Sequence, residues 1–349
     1  METWLLCQDD LARILEVIGR DALMRGMIEK LTEGLTELGW GERDNSPART
    51  GFTRTGDVPG VIELMPHRDP GSSVTIKMVA YSPANARTFR LPTILSTIVR
   101  IDDNSGRLTA IADATLITAL RTGAASAVAS RLLATPESST VGLIGAGAQA
   151  VTQLHGLSQV FDIESALVYD IDGAAATSFA ERVAFVGVPV KIASPERILA
   201  EGDIICTATS VPVGGGPVLL DGDHREHLHI NSIGSDEIGK TELPKSLLQR
   251  AFVCVDHRAQ AEREGESQQL RPEEIGQSLA YLLAHPDEAV VQRSSLTVFD
   301  STGFALEDHL ALDIFLAAAE ERGLGTKLPI EHRPENVLDP YSLRIARAY

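Results

Sequence analysis

The chain has 349 residues, 44% hydrophobic and 23% charged, which supplies apolar surface for a sizeable core and excludes a mainly disordered state. The length suits two domains or one large one. With 31 Lys+Arg against 48 Asp+Glu the net charge is −17, so phosphate backbones and anionic membrane surfaces are repelled and neither nucleic acid nor membrane is an expected partner.

Taken in chain order, residues 9–38 read as a helix: Leu11, Ile14, Leu15 and Ile18 recur at helical spacing, Asp9 and Asp10 offer a cap, and Gly39 closes the run. The stretch before it, METWLLCQDDLAR, lacks the basic start and the long apolar run of a signal peptide. Residues 40–60, rich in Gly, Pro, Arg and Thr, read as a loop. Strand-like runs follow at Val61–Met65, Val74–Tyr81, Ile94–Asp102 and Leu108–Asp113, the last two forming a hairpin that turns near Asn104, Ser105 and Gly106. An antiparallel α+β unit is expected here. Thr118–Leu133 is an Ala-rich helix, and Asp113, Arg121 and Arg131 rule out a membrane span over this apolar stretch. Beyond Pro136 strands alternate with helical segments, at Thr140–Ile144, Ser165–Tyr169, Val190–Ile192, Asp203–Thr207, His229–Ile233, Phe252–Val255 and Leu296–Phe299. That alternation predicts a parallel sheet covered on both faces. A final amphipathic helix, Ala305–Arg322, has to leave this sheet and is free to return to the first unit. Cys7, Cys206 and Cys254 form no C-x-x-C pair, which fits a reducing compartment and a cytoplasmic protein.

The strongest local signal is Thr140-Val-Gly-Leu-Ile-Gly-Ala-Gly-Ala-Gln-Ala150, running into the helical segment VTQLHGLSQ. Gly145 permits a tight strand-to-helix turn, Gly147 lets a pyrophosphate approach the backbone, and Ala150 allows close helix–sheet packing. The turn Gly145, Ala146, Gly147, Ala148 and Gln149 therefore reads as a dinucleotide site. Twenty residues on, Asp170 ends the run ALVYD, where a carboxylate binds ribose hydroxyls and disfavours a 2′-phosphate, so NAD is expected rather than NADP.

An anion clamp stands out in an acidic chain: Arg49 in the loop, Lys77 interrupting the apolar run VTIKMVAY, and Arg121 in LRTGAAS. Taken alone each reads first as a solvated surface charge, but Lys77 differs, since a Lys inside an apolar strand needs a carboxylate, a substrate or an open face. Arg121 and Thr122 precede the nucleotide segment, where they can bridge a substrate carboxylate and a cofactor phosphate. Asp236 follows a strand ending at Gly234, at the carboxyl end where open parallel sheets bind ligands; a helix cap or turn residue is the competing reading. Glu63, in VIELM, lies on a wet face or meets a substrate ammonium. His224, His227 and His229 have no fourth ligand at a recognised spacing, so no metal is expected.

RTGAASAVASRLLA, VGLIGAGAQA, INSIGSD and VFDSTG, in this order, resemble the ornithine cyclodeaminase/μ-crystallin family, and the resemblance covers nearly the whole chain. RTGFTRTGDVPGVIELMPHR, ATSVPVGGGPV, EHLHINSIGSDEIGKTELP, VFDSTGFALEDHLALD and LDPYSL are especially similar to the branch that cyclises L-lysine to L-pipecolate for natural-product pathways. The resemblance implies a Rossmann-type NAD-binding domain (121–309) plus an α+β substrate-binding and dimerisation domain built from both chain ends (1–120 with 310–349). It implies a homodimer acting on an amino acid. Arg49, Lys77 and Arg121 match the family's carboxylate clamp, Glu63 and Asp236 its amine-handling carboxylates, with Asp236 the acid/base, and Asp170 its ribose ligand. Thr207 and Ser210, Asn231, and Ser301, Thr302 and Gly303 fall where the family lines the cofactor. Ornithine cyclodeaminases, NAD(P)H-dependent ketimine reductases, amino-acid dehydrogenases and non-enzymatic crystallin-type members share these motifs.

Overall fold

In a computed structural model that describes residues 2–56 and 58–342, the chain builds two seven-stranded sheets. Strand β1 (Thr3–Leu6) leads into two helices, Gln8–Ile18 and Arg20–Trp40, instead of the single helix expected over 9–38. Gly19 makes the break: its φ of +84° is closed to a continuing right-handed helix. The expected loop 40–60 holds an edge strand, β2 (Thr50–Arg54), whose exposed side chains carry no alternating pattern. Strand β3 (Gly60–Asp69) runs on through Pro66, because β2 pairs with it only from Gly60 to Leu64 and beyond that point its outer side is an edge that tolerates proline. Strands β4 (Ser73–Tyr81), β5 (Ile94–Asp102) and β6 (Leu108–Asp113) continue antiparallel, with the expected hairpin between the last two.

The Ala-rich helix Thr115–Leu133 crosses the helix Ala148–Ser158 at backbone contact. A Cβ on Gly123 would lie 2.3 Å from the Thr152 carbonyl, which is why the run reads so small at this point. Strands β7 (Thr140–Ile144), β8 (Ser165–Tyr169), β9 (Val190–Ile192), β10 (Ile204–Thr207), β11 (His229–Ser232), β12 (Phe252–Val255) and β13 (Thr297–Asp300) form the parallel sheet in the order β12-β13-β11-β10-β7-β8-β9. The order reverses beside β7, the topological switch point at which doubly wound sheets bind nucleotides. The fold is thus α/β with a Rossmann-type sheet, as expected. After β13 the helix Ala305–Arg322 returns to pack on β3, β4 and the two long helices, and β14 (Thr326–Leu328) pairs with β1. The mixed sheet therefore runs β14-β1-β6-β5-β4-β3-β2, closed by both ends of the described chain.

Leu23, Met24, Met27, Ile28, Leu31 and Leu35 line one face of Arg20–Trp40 and are buried against the Ala-rich helix and Ala305–Arg322. Full burial of such a side chain contributes about 1.5–3 kcal/mol. This packing locks Ala305–Arg322 over the inner face of β3 and β4, where the site lies. Among the described residues no helix is long and apolar enough to cross a membrane.

Candidate active site

Alternation along β4 turns Thr75, Lys77 and Val79 inward, and β3 presents Glu63 and Met65 beside them. Lys77 is 1% exposed, and its Nζ donates to Asp308 Oδ1 at 2.8 Å. Arg121 reaches the same carboxylate from the Ala-rich helix, Nε to Oδ1 at 3.1 Å, and donates from Nη1 to Glu307 Oε2 at 3.0 Å. Glu307 and Asp308 occupy the first turn of Ala305–Arg322, where the helix dipole also favours negative charge. Burial pulls Lys77 down to about 8, with Asp308 opposing it, and pushes Glu307 up to about 8 against the pull of Arg121.

Arg49 is gripped from four sides. Its Nε donates to Glu264 Oε1 at 2.6 Å and lies 3.3 Å from Glu63 Oε1, while Nη1 and Nη2 donate to the carbonyls of Thr302 and Asp236 at 2.9 and 2.7 Å. Glu63 is half-buried. Burial pushes it up to about 7, Arg49 pulls the other way, and Glu264 and Asp236 push it further up. Asp236 Oδ1 accepts from Lys240 Nζ at 2.8 Å. Arg49, Glu63, Lys77, Arg121 and Asp236 thus converge on one cleft, which Thr122, Gln149 and the loop 301–303 close on the side of the parallel sheet.

The Gly145 turn is shaped for a dinucleotide. Gly145 has φ +99°, and a Cβ there would lie 2.6 Å from the Ala208 carbonyl. A Cβ on Gly147 would meet nothing within 4 Å, so open space lies over the start of Ala148–Ser158, whose N-cap has no side-chain hydrogen bond. That cradle, backed by free helix amides, fits a pyrophosphate. Asp170 stands at the end of β8 and accepts from the Ala146 and Asp172 amides at 2.7 and 2.8 Å, which sets its carboxylate against the turn. Ser210 is exposed beyond β10. Ser301 and Thr302 turn their hydroxyls onto Asp256, and Thr302 also accepts from Gln260. Gly303 (φ +72°) lies flat on the Arg121 guanidinium, 2.4 Å from where a Cβ would stand.

Two of the residues expected to line the cofactor have no exposed side chain. Thr207 and Asn231 are fully buried, because they sit within the paired stretch of β10 and β11, with their side chains directed into the packing beside the sheet. Thr207 donates to Glu242 Oε2 at 2.7 Å and Asn231 to Ser130 Oγ at 2.9 Å, so both side chains brace the sheet. His224 and His227 meet the Arg225 carbonyl and Asp203, and His229 meets Thr297 inside the sheet. Among the described residues no three His, Cys, Asp or Glu side chains group to hold a metal ion.

Sequence reasoning found the cations and missed their partners Glu264, Glu307 and Asp308; it also missed Lys240, the partner of Asp236, and Glu242 and Asp256, which bracket the loops after β10, β11 and β13. The adjacent acids in FALEDHL were a usable signal, since two carboxylates opening an apolar helix have to meet cations when buried.

The chain is 57% identical to an L-lysine cyclodeaminase of Streptomyces rapamycinicus over 343 residues, 98% of this chain and 100% of the relative. It is similar to a solved structure describing the recognition of L-lysine, L-ornithine and L-2,4-diaminobutyric acid by lysine cyclodeaminase, with TM-score 0.98 and 59% identity over 99% of this chain and 100% of the other. An archaeal alanine dehydrogenase dimer with bound NAD superposes with TM-score 0.82 at 28% identity, covering 95% of this chain and 100% of that one. The ornithine cyclodeaminase/mu-crystallin family model matches residues 8–322, and the chain belongs to that family.

Proposed function

We propose that the chain is an NAD-dependent L-lysine cyclodeaminase, converting L-lysine to L-pipecolate and ammonia with no net oxidation. The observation that carries this reading is the meeting in one cleft of three buried cations and two carboxylates, beside a turn that fits a dinucleotide. Identity to a lysine cyclodeaminase over nearly the full length supports it.

Arg49, Lys77 and Arg121 would hold the substrate carboxylate. Each is already fixed by an acid, so the clamp is pre-oriented and little freedom is lost on binding. Arg121 uses Nε and Nη1 on these acids, and Nη2 is bonded to neither. When bound in the Gly145 turn, NAD⁺ supplies the hydride acceptor, and afterwards the donor, for the substrate's α-carbon. Loss of that hydride leaves an α-imine. The distal amine attacks the α-carbon, ammonia leaves with the α-nitrogen, and the returning hydride reduces the cyclic imine. The attacking amine has to be neutral; once it has bonded to the α-carbon its nitrogen carries a surplus proton, which Asp236 would take. Glu63, held near 7, can take up or release a second proton at neutral pH.

L-Ornithine, one methylene shorter, is the second reading, favoured by the neighbour that recognises both amino acids. A missing methylene changes selectivity by only about 1–3 kcal/mol. Incubating the protein with NAD⁺ and each amino acid, then measuring ammonia and product mass, tests both. Accumulation of NADH would instead indicate a dehydrogenase, and consumption of added NAD(P)H a ketimine reductase.

We assign residues 121–309 to the nucleotide-binding part and residues 1–120 with 310–349 to the substrate-binding and dimerisation part; 343–349 lie outside the described residues. The outer face of the mixed sheet supports a homodimer. Ile62, Ala80 and Leu95 form one apolar row across β3, β4 and β5, with Leu64 and Met78 in the next, and the described residues leave both partly exposed. A light-scattering mass of twice the chain's would bear this out. The widely spaced free thiols fit a cytoplasmic setting.

A further inference from the structure

Four residues beyond Asp236, in the same turn, lies Lys240. It is 1% exposed, its Nζ donates to Asp236 Oδ1 at 2.8 Å, and it sits 4.6 Å from the centre of the Tyr81 ring. The backbone fixes it there: Lys240 O accepts from Ser235 Oγ at 2.6 Å and from Gln268 Nε2 at 3.0 Å, and its N–H donates to Glu237 O at 3.0 Å. The groups facing the ammonium are Asp236 and Glu237 of its own turn, Glu242 just beyond it, and Tyr81 from β4. Burial works against its charge, but Asp236, Tyr81 and Glu242 outweigh burial, and the ammonium stays protonated well past neutrality. Asp236 lines the cleft and Lys240 does not, so the cation stands behind the carboxylate. Glu63 also has a cation beside it, Arg49 at 3.3 Å, but Arg49 lines the cleft itself.

This backing has a chemical consequence. A lone carboxylate in a half-buried cleft stabilises an incoming ammonium, raises its pKa and ties up the lone pair that has to attack. A buried cation against that carboxylate cancels the effect and repels a second ammonium. We propose that Lys240 is a tuning residue that keeps Asp236 from trapping the substrate's distal amine as an ammonium, so that the amine docks and reacts in its neutral form. The inference rests on the lysine-cyclising reading for the identity of the incoming group. Lys240 acts through Asp236 and takes no proton itself.

The test uses the intact chain as wild type, Lys240→Met and Lys240→Arg. Loaded with NADH, which leaves no hydride acceptor, each is titrated calorimetrically with L-lysine and with L-norleucine, which lacks only the distal amine. Removal of the cation should raise the preference for lysine over norleucine by about tenfold, the equivalent of one pKa unit. With NAD⁺, turnover of lysine by Lys240→Met should fall about tenfold at neutral pH and recover as the pH is raised by about one unit. Lys240→Arg should track the wild type in both. An unchanged lysine-to-norleucine ratio, or a loss of turnover equal at every pH, would overturn the proposal. If the wild type binds lysine but releases no ammonia, the cyclodeaminase reading fails while the affinity ratio still decides the role of Lys240. Should Lys240→Met not fold, Lys240→Gln, neutral and hydrogen-bonding, reads the same ratio.

Discussion

Arg49 and Glu264 meet at 2.6 Å, Nε to Oε1, across 215 positions of sequence. The contact seats the loop before β2 on the short helix Arg258–Glu264. Gln260 of that helix accepts the Arg49 N–H at 3.0 Å and donates to Thr302 Oγ1 and the Gly303 carbonyl. One turn of helix therefore sets the clamp and the 301–303 loop at a fixed spacing, so that substrate and cofactor positions are linked through the same few side chains.

Glu264→Gln tests that linkage. The variant keeps the shape but loses the charge, and a buried hydrogen bond to a charged group contributes about 1.5–3 kcal/mol. We expect KM for lysine to rise about tenfold or more with a smaller change in kcat, in a protein that remains folded. Steady-state kinetics beside thermal melts separate the outcomes: a lower Tm with unchanged KM would make Glu264 a structural bracket only.

The two glycines of the nucleotide turn should respond in opposite ways. A Cβ at Gly145 meets backbone at 2.6 Å with φ +99°, so Gly145→Ala should lower stability by about 1–3 kcal/mol. At Gly147 φ is −77° and a Cβ meets nothing, so Gly147→Ala should fold normally and lose NAD affinity instead. Melting curves and NAD titrations of both variants check this. Tight NAD binding by Gly147→Ala would move the pyrophosphate away from the turn.

These contrasts show what the sequence makes legible. The strands of the parallel sheet are continuous apolar runs bounded by breaks, and the glycine turn is local, so both are visible along a few residues. The clamp is visible by half. Arg49, Lys77 and Arg121 stand out because cations are scarce in an acidic chain, but Glu264, Glu307 and Asp308 are three carboxylates among 48 and acquire meaning only when the fold brings them together. Strands β1, β2 and β14 escaped notice for another reason: they are short, and β2 and β14 are edges whose exposed side chains show no alternation. The burial of Thr207 and Asn231 is not legible, because a residue bracing a strand end and one facing a ligand beyond it differ by a single position along the strand.

The buried carboxyls predict how stability depends on pH. Glu63 and Asp300 are pushed up to about 7, and Glu266 and Glu307 to about 8, mainly by burial. Above their unfolded values of about 4.5 or below, these groups ionise in the unfolded chain before they do in the folded one, so the native state holds more protons and stability falls as pH rises. His67, His229 and His309 act oppositely, since burial lowers them to about 4, 4 and 2, but that effect ends once the unfolded imidazoles are neutral, above about 6.5. Tm should therefore decline between about pH 6.5 and 8, and Glu63→Gln should make the decline shallower. A flat or rising Tm over this window would show that the carboxyls are solvated.

Asp236→Asn separates chemistry from binding. The amide keeps the size of the side chain and can still accept from Lys240 through its oxygen, and the Asp236 carbonyl that receives Arg49 is untouched. What is lost is a group able to take a proton from the distal amine. Lysine and NAD should still bind, while ring formation falls by roughly 10²-fold or more, the range for a missing acid/base group. Isotopes then follow each bond in the wild type. With ¹⁵N at the α-position, labelled ammonia and unlabelled pipecolate are expected, because the α-nitrogen is the one expelled. With deuterium at C2, the label should leave as hydride and return to the ring carbon, since no net oxidation occurs. Retention of the α-¹⁵N in the ring would mean that nitrogen leaves from the distal carbon, and the proposed route would fall. Full activity in Asp236→Asn would leave cyclodeamination intact and transfer the proton-accepting role to Glu63, whose carboxyl near 7 lies in the same cleft.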